Sequence, residues 1–317
     1  MNPLPSEIRC LDSAHGKAWS FYNGDSVDVL RQFPERCIDL MIYSPPFSDV
    51  FVYSNSERDM GNAANHDEFA RHYGYLVDEL YRILRPGRIV AVHCKAIPFV
   101  QYKHNRRGLY DLPGEIIRVH NKAGFEYHSE VCIWKDPVVE MQRTKANGLL
   151  HMQLLKDSAK SRQGLPDKIL LFRKPGDAGD EDHEPVSHRP EAFPVDLWQQ
   201  WASPVWMDID QGDTLNRTEA RESDDEKHIC PLQLDVIERI ITLWSNPGDV
   251  VLSPFGGIGS EPYQAVKLGR RAVACELKPA YWKVGCRNLE EAEGVRQVGL
   301  FAPPDPVDIP GLPLGVP

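Results

Sequence analysis

Long apolar runs are missing from this 317-residue chain. Nowhere does one approach the roughly 20 residues that a membrane span requires, so no spanning segment is expected. The opening residues, Met1-Asn2-Pro3-Leu4-Pro5-Ser6-Glu7, lack both the basic and the apolar part of a secretory leader, and a cytoplasmic location is expected. No two of the seven cysteines (Cys10, Cys37, Cys94, Cys132, Cys230, Cys275, Cys286) stand three residues apart. That spacing excludes the common zinc knuckle and the Cys-x-x-Cys redox pair, so no metal is expected. An excess of positive charge is lacking too: the net charge of −10 speaks against wholesale coating of nucleic acid.

The charge is unevenly spread, however. Between positions 141 and 174 eight basic residues (Arg143, Lys145, Lys156, Lys160, Arg162, Lys168, Arg173, Lys174) face only Asp157 and Asp167. Between 175 and 226 fifteen acids face Arg189, Arg217 and Arg221. A basic island beside an acidic belt suits a polyanion groove, and equally an ordinary solvated surface.

Hydrophobic content of 42% and charged content of 26% are those of a soluble globular protein. Three regions separate on pattern. Region 18–136 alternates strand-like and helix-like segments: apolar runs at 19–22, 38–43 and 89–92, then a strand from 126 to 134. Phe69, Tyr73, Leu76, Leu80 and Ile83 follow helical spacing, with Pro86-Gly87 expected to stop that helix. A second helix is expected from 112 to 122, closed by Gly124. Region 137–226 is irregular, with one clear strand at 168–172 expected to pair with 126–134 around a long insertion. Region 227–292 returns to alternation: a helix at 232–244 with Leu234, Ile237, Ile241 and Leu243 or Trp244 facing inward, and strands at 249–252 and 271–275. Pro-rich 302–317 is expected to carry no core. Strands separated by helices predict an α/β fold, a mostly parallel sheet with helices on both faces plus the irregular inserted region.

Two stretches carry chemistry. The first, Ser44-Pro45-Pro46-Phe47, leaves the apolar run 38–43 through a turn that two prolines make rigid. The second, Ser253-Pro254-Phe255-Gly256-Gly257-Ile258-Gly259-Ser260, takes a strand through a glycine-rich turn into a helix. Glycines let a backbone approach a ligand closely, and a helix start offers unpaired N–H groups. A Walker loop would need Gly-Lys-Ser/Thr, which is absent, and a dinucleotide fingerprint would need glycine where Pro262 stands. Glu276 ends the next strand, where an acid can accept bonds from ribose hydroxyls. On the second stretch alone the choice lies between an adenosine-containing cofactor and a plain tight turn.

Taken together, the two stretches resemble the amino-methyltransferases of DNA, which use S-adenosylmethionine to methylate exocyclic nitrogens of adenine or cytosine. Ser44-Pro45-Pro46-Phe47 matches their Asp/Asn/Ser-Pro-Pro-aromatic motif, and 253–260 matches their Asp-Pro-Phe-x-Gly-x-Gly-Thr motif. Gly24-Asp25, the segment 227–233, and Leu268-Gly269-Arg270-Arg271 through Glu276 to Tyr281 resemble further elements of the pattern. The order, catalytic motif first, is that of the permuted β group, and 54–62 looks like methylases of phages and prophages. Ser253 departs from the usual aspartate, and Ser260 stands for threonine.

The resemblance implies a Rossmann-like methyltransferase sheet in two halves, 18–136 and 227–292, with 137–226 as inserted target-recognition region. It implies S-adenosylmethionine held by Asp25, Gln233, Ser253, Phe255, Gly257, Gly259, Ser260 and Glu276, and a catalytic Ser44, Pro45, Pro46 and Phe47. Double-stranded DNA is the implied partner, and a homodimer is the form such enzymes often take. An exocyclic amine is a poor nucleophile because its lone pair is delocalised into the ring. Acceptors at Ser44 Oγ and the Pro45 carbonyl would localise that pair, while Phe47 stacks on a base rotated out of the duplex. Serine at the head of the motif favours cytosine N4, and adenine N6 is the alternative. C5 methylation is disfavoured because it needs a Pro-Cys pair, whereas Cys230-Pro231 has the reverse order. A binding protein without turnover is the reading from another class, motivated by Ser253. Arg106, Arg107, Arg143, Lys145, Lys160 and Arg162 are the expected phosphate contacts, with the acidic 175–226 on the cofactor side or at a subunit interface. His93, His104 and His228 are expected as hydrogen-bonded surface or core residues, and Phe51, Tyr53 and Trp206 as core or loop anchors.

Overall fold

A computed structural model describes residues 8–46, 66–99, 108–144, 148–176, 184–216 and 231–298. Its elements in chain order are β1 (Asp12–His15), β2 (Trp19–Asn23), α1 (Ser26–Leu30), β3 (Ile38–Tyr43), α2 (His66–Ile83), β4 (Leu84–Cys94), β5 (Ile97–Pro98) and β6 (Leu109–Tyr110). Then come α3 (Leu112–Ala123), β7 (Glu126–Ile133), α4 (Pro137–Thr144), α5 (His151–Asp157), β8 (Asp167–Arg173), α6 (Val195–Trp201) and β9 (Val205–Trp206). The last part holds α7 (Leu234–Trp244), β10 (Val250–Ser253), α8 (Ser260–Lys267), β11 (Arg271–Glu276) and α9 (Pro279–Val298).

One sheet runs in the order β1-β2-β11-β10-β3-β4-β8-β7-β9, and β5 and β6 form a separate pair. The neighbours from β2 through β4 are all parallel, while β8 runs antiparallel to both β4 and β7. Successive side chains on a strand point to opposite faces. Met41, Tyr43, Val90, Val92, Leu252 and Phe172 therefore pack on one side in a core with residues of α1, α2 and α3. Leu40, Ile42, Ala91, Val251, Ala274 and Leu171 pack on the other with residues of α7, α8 and α9. These strands are buried on both faces, which is why they read as continuous apolar runs.

Local signals set the helix ends well at α3. The Asp111 side chain accepts the Gly114 N–H at 3.0 Å, proline occupies the first turn, and Gly124 closes the helix at φ 105°, where other residues are disfavoured. Pro86-Gly87 does not stop α2, which ends at Ile83; β4 begins at once and includes both residues. The carbonyls of Arg82 and Ile83 are taken instead by the N–H groups of Arg36 and Cys37, so contacts from another segment set that end. The inward face of α7 also differs from expectation: Val236, Ile237, Ile240 and Ile241 are buried, and so is Arg239. The Arg239 guanidinium binds Asp235 and Asp208 and lies over the rings of Trp201 and Trp206, fastening 184–216 to α7. The pair β7–β8 forms as expected around the insertion, and β9, which the sequence pattern did not mark, extends the sheet beyond β7.

Candidate active site

Because β2, β11, β10, β3 and β4 are parallel, their C-terminal ends lie along one edge of the sheet. That edge gathers Asp25, Glu276, Ser253 and Ser44, residues scattered over the whole chain. Crevices at such edges are where open α/β sheets bind ligands.

The glycine-rich turn after β10 is held from several sides. The Gly256 N–H donates to the Cys275 carbonyl at 2.7 Å, and the Gly259 N–H to that of Gly256 at 2.7 Å. Ser26 Oγ donates to the Pro254 carbonyl, and Asn288 Nδ2 to that of Ile258 at 2.7 Å. A Cβ on Gly256 would come within 2.8 Å of the Phe21 ring, whereas one on Gly257 (φ 52°) would meet nothing within 4 Å. The backbone at Gly257 thus faces open space, as a turn that carries a ligand must. Glu276 accepts the Gly257 N–H on Oε2 at 2.8 Å and the Lys278 N–H on Oε1 at 2.7 Å. Asp25 caps α1 by accepting the Asp28 N–H at 3.1 Å. Ser260 opens α8 and is buried, and Phe255 lies 5.8 Å from the Tyr43 ring, centre to centre.

Two buried polar atoms here have no hydrogen-bond partner among the described residues: Ser253 Oγ and Gln233 Oε1. An orphaned buried acceptor costs about 1–3 kcal/mol, and a bound polar ligand relieves it. By alternation along β10, Ser253 points to the face that α7 covers, and Gln233 stands at the start of α7. Orphaned acceptors beside an open backbone turn, with an acid on the next strand, fit an amino-acid-bearing nucleoside such as S-adenosylmethionine.

The segment Ser44-Pro45-Pro46 follows β3 directly. Pro45 and Pro46 are buried, and Ser44 is half-buried. Tyr43 beneath it is locked from the other face: its hydroxyl lies 2.8 Å from that of Tyr73 and 3.2 Å from His120 Nε2. His120 is wholly buried, and burial pushes its pKa down to about 3 despite a bond to the Ile116 carbonyl, so the ring is neutral. It serves the core, stacked on Phe172.

Tyr43 pairs with Val92, so the next residues, Ser44 and His93, fall side by side, with Ser44 Oγ 2.9 Å from His93 Nδ1. His93 Nε2 lies 3.2 Å from Asp167 Oδ2, in a contact bent away from ideal hydrogen-bond alignment. Asp167 Oδ2 is 2.7 Å from Lys135 Nζ, and Oδ1 is 3.9 Å from Lys95 Nζ. Burial favours a neutral Asp167, but the His93 contact and the two ammonium groups outweigh it and hold the carboxyl well below the usual carboxylate range. Lys135 donates to Gln211 Oε1, which also receives Gln233 Nε2 at 3.5 Å. A row of polar side chains therefore crosses from Ser44 to the start of α7. His93 was not marked as a site residue from sequence; the visible signal was its place one step beyond the apolar run 89–92 of β4, beside Ser44.

Several expected site residues, Phe47, Arg106, Arg107 and Lys145, lie outside the described residues, as do Phe51, Tyr53, His104, His228, and positions 54–62 and 302–317. Arg143 falls within α4. Lys160 is exposed and pairs with Asp157 at 3.2 Å. Arg162 is half-buried, with an enclosed Nη2 that has no hydrogen-bond partner among the described residues. Trp206 is buried, as expected of an anchor.

The model of the N6/N4 methyltransferase family, described as DNA methylase, matches residues 38–286. The chain belongs to this family. The methylase is accordingly an S-adenosylmethionine-dependent enzyme acting on amino groups of DNA. It is 22% identical over 278 residues to the DNA adenine methyltransferase YhdJ of Escherichia coli, covering 87% of this chain and 84% of that protein. It is 22% identical to the type II methyltransferase M.BglII of Bacillus subtilis, covering 84% and 68%. In fold it is similar to a DNA modification methylase of Thermus thermophilus solved with S-adenosyl-L-methionine, with a TM-score of 0.64, 22% identity, and 86% and 93% of the chains covered. The cytosine-N4-specific PvuII DNA methyltransferase gives a TM-score of 0.61 at 15% identity, covering 92% of this chain and 95% of that one. Among the described residues no helix of the methylase is long and apolar enough to cross a membrane, and no group of three or more His, Cys, Asp or Glu side chains is placed to hold a metal ion.

Proposed function

We propose that the methylase transfers a methyl group to N4 of a cytosine rotated out of double-stranded DNA. The observation that carries this reading is Ser44 Oγ at the end of β3, a hydroxyl at the head of the Pro-Pro turn and 2.9 Å from a histidine. S-adenosylmethionine supplies an electrophilic methyl on a positively charged sulfur. The chain's own task is then to hold and orient. Gly257 and Gly259 let the backbone approach the cofactor closely, with Ser260 at the start of α8 beside them, Glu276 and Asp25 offer carboxylate oxygens to hydroxyl and adenine groups, and Gln233 and Ser253 face the amino-acid end. Ser44 Oγ and the Pro45 carbonyl accept the amine's N–H bonds and localise its lone pair before transfer. Buried prolines keep both acceptors in place, so little reorganisation accompanies the reaction. Phe47 stacks on the flipped base. Lys160 and its basic neighbours in 141–162 grip phosphates, and the acidic 184–216, docked on α7 through Asp208 and Arg239, lies on the cofactor half.

A second reading, adenine N6, has one observation behind it: the E. coli relative named as an adenine methyltransferase matches over most of both chains. Nucleoside mass spectrometry on DNA from methylation-deficient cells making the protein, beside a Phe47→Ala control, tests both. N4-methylcytosine that vanishes in the control is the expected result. N6-methyladenine would transfer the proposal to the second reading, and no modified base would overturn both.

A further inference from the structure

We infer that His93, backed by Asp167, is the positioning residue that orients the Ser44 hydroxyl and takes the proton the amine must lose. This inference rests on the methyl-transfer reading of the same site.

The geometry assigns the protons. A carboxylate held ionised lies 3.2 Å from Nε2 of His93, so the ring proton belongs on Nε2 and Nδ1 is left as an acceptor. Ser44 Oγ, 2.9 Å from Nδ1, is then the donor in that bond. With its own hydrogen committed to His93, Ser44 Oγ turns its lone pairs to the crevice, where the amine's N–H groups arrive. Without the histidine the hydroxyl can rotate and present its hydrogen to the amine, a repulsive arrangement.

Proton balance follows. As the nitrogen–methyl bond forms and the carbon–sulfur pair departs with the sulfur, the nitrogen carries a positive charge and one proton too many. The electron pair of one N–H bond returns to nitrogen while its proton passes to Ser44 Oγ. The Ser44 proton passes in the same movement to His93 Nδ1, leaving an imidazolium against the Asp167 carboxylate. The His93 side chain is 13% exposed, so the proton has a route to water before the next turnover. The charged groups around His93 are Asp167 from β8 and, one contact further, Lys135 beyond β7, Lys95 beyond β4 and Glu140 of α4, which is 3.3 Å from Lys95. The two ammonium groups keep Asp167 ionised, so it holds the tautomer without taking the proton itself.

The test is single-turnover transfer of labelled methyl from S-adenosylmethionine to DNA of methylation-deficient cells, run in ordinary and in heavy water, with cofactor affinity measured separately by titration. His93→Asn keeps an acceptor near Nδ1 but cannot carry a proton. It is expected to bind cofactor as the wild type does, to transfer methyl about 100-fold more slowly, and to change the solvent isotope effect on transfer. Asp167→Asn removes the charge behind the ring and should slow transfer by about tenfold or more while cofactor affinity stays unchanged. Wild-type rates in either variant, or an unchanged solvent isotope effect in His93→Asn, would overturn the inference. If the wild type itself methylates no DNA, it is the methyl-transfer reading that fails.

Discussion

The Gly257 N–H points at Glu276 Oε2, 2.8 Å away, so the acid that ends β11 also shapes the turn that follows β10. Its other oxygen takes the Lys278 N–H, and both carboxylate oxygens are thus tied to the backbone. Glu276→Gln replaces one acceptor by an NH₂ group and leaves a backbone N–H unmatched, at a cost of about 1–3 kcal/mol. The expected outcome is S-adenosylmethionine binding weakened roughly 10- to 100-fold, read by calorimetric titration, since each 1.4 kcal/mol is about tenfold. Unchanged affinity would show that Glu276 does not shape the site.

Adjacent glycines should fail in different ways. Gly256→Ala drives a methyl group into the Phe21 ring and lowers the unfolding temperature. Gly257→Ala places its methyl in open space at φ 52°, at a strain cost of about 1–2 kcal/mol, and should mainly abolish cofactor binding. Thermal unfolding beside cofactor titration separates the two. Equal loss of stability in both would contradict the assignment of Gly257 to the ligand.

Alanine in place of Arg143, Lys145, Lys160 and Arg162 should weaken DNA binding and flatten its dependence on salt, by about 0.9 in the log–log slope for each phosphate that is no longer neutralised. Arg162→Ala alone discriminates further, because its enclosed Nη2 suits a structural role as well. An unaltered slope in the quadruple variant would remove this region from the DNA interface.

Glu261, fully buried in the first turn of α8, has its pKa raised to about 8 by burial. The folded chain therefore holds a proton that the unfolded chain releases above its ordinary carboxyl pKa of 4.5. Stability is full below that value, falls as pH rises, and reaches its low plateau once pH passes 8. Glu261→Gln removes this titration, so the loss of stability between about pH 5 and pH 9 should shrink by a few kcal/mol in denaturant unfolding. Identical pH profiles for the two proteins would refute it.

Much of the site was legible because it lies in two unbroken stretches. Ser44 follows an apolar run with no gap, and 253–260 joins a strand to a helix, so each motif carries its own structural context. The strands that flank them announce themselves by apolar runs buried on both faces. What escaped depends on neighbours brought from afar. Asp167 meets His93 only because β8 returns antiparallel beside β4 after the whole insertion, a pairing that no local pattern states. Arg239 is buried because Asp208, Trp201 and Trp206, which come from another segment, lie over it, and no local pattern states that. The end of α2 was misjudged for the same reason: proline chemistry is local, whereas the N–H groups of Arg36 and Cys37 are not.

Strand order also has a consequence in time. The centre of the sheet is filled by β10 and β11, which leave the ribosome after all the other described strands have been made, and until then β2 and β3 have no partner between them. Domains fold as their parts emerge, and strands awaiting distant partners fold late. A nascent chain that stops short of Glu276 thus carries Ser44 and its proline turn but lacks the edge of the sheet proposed to hold the methyl donor. On the proposed reading, methyl transfer therefore waits until synthesis has passed the last strand, and an interrupted product is expected to be chemically silent.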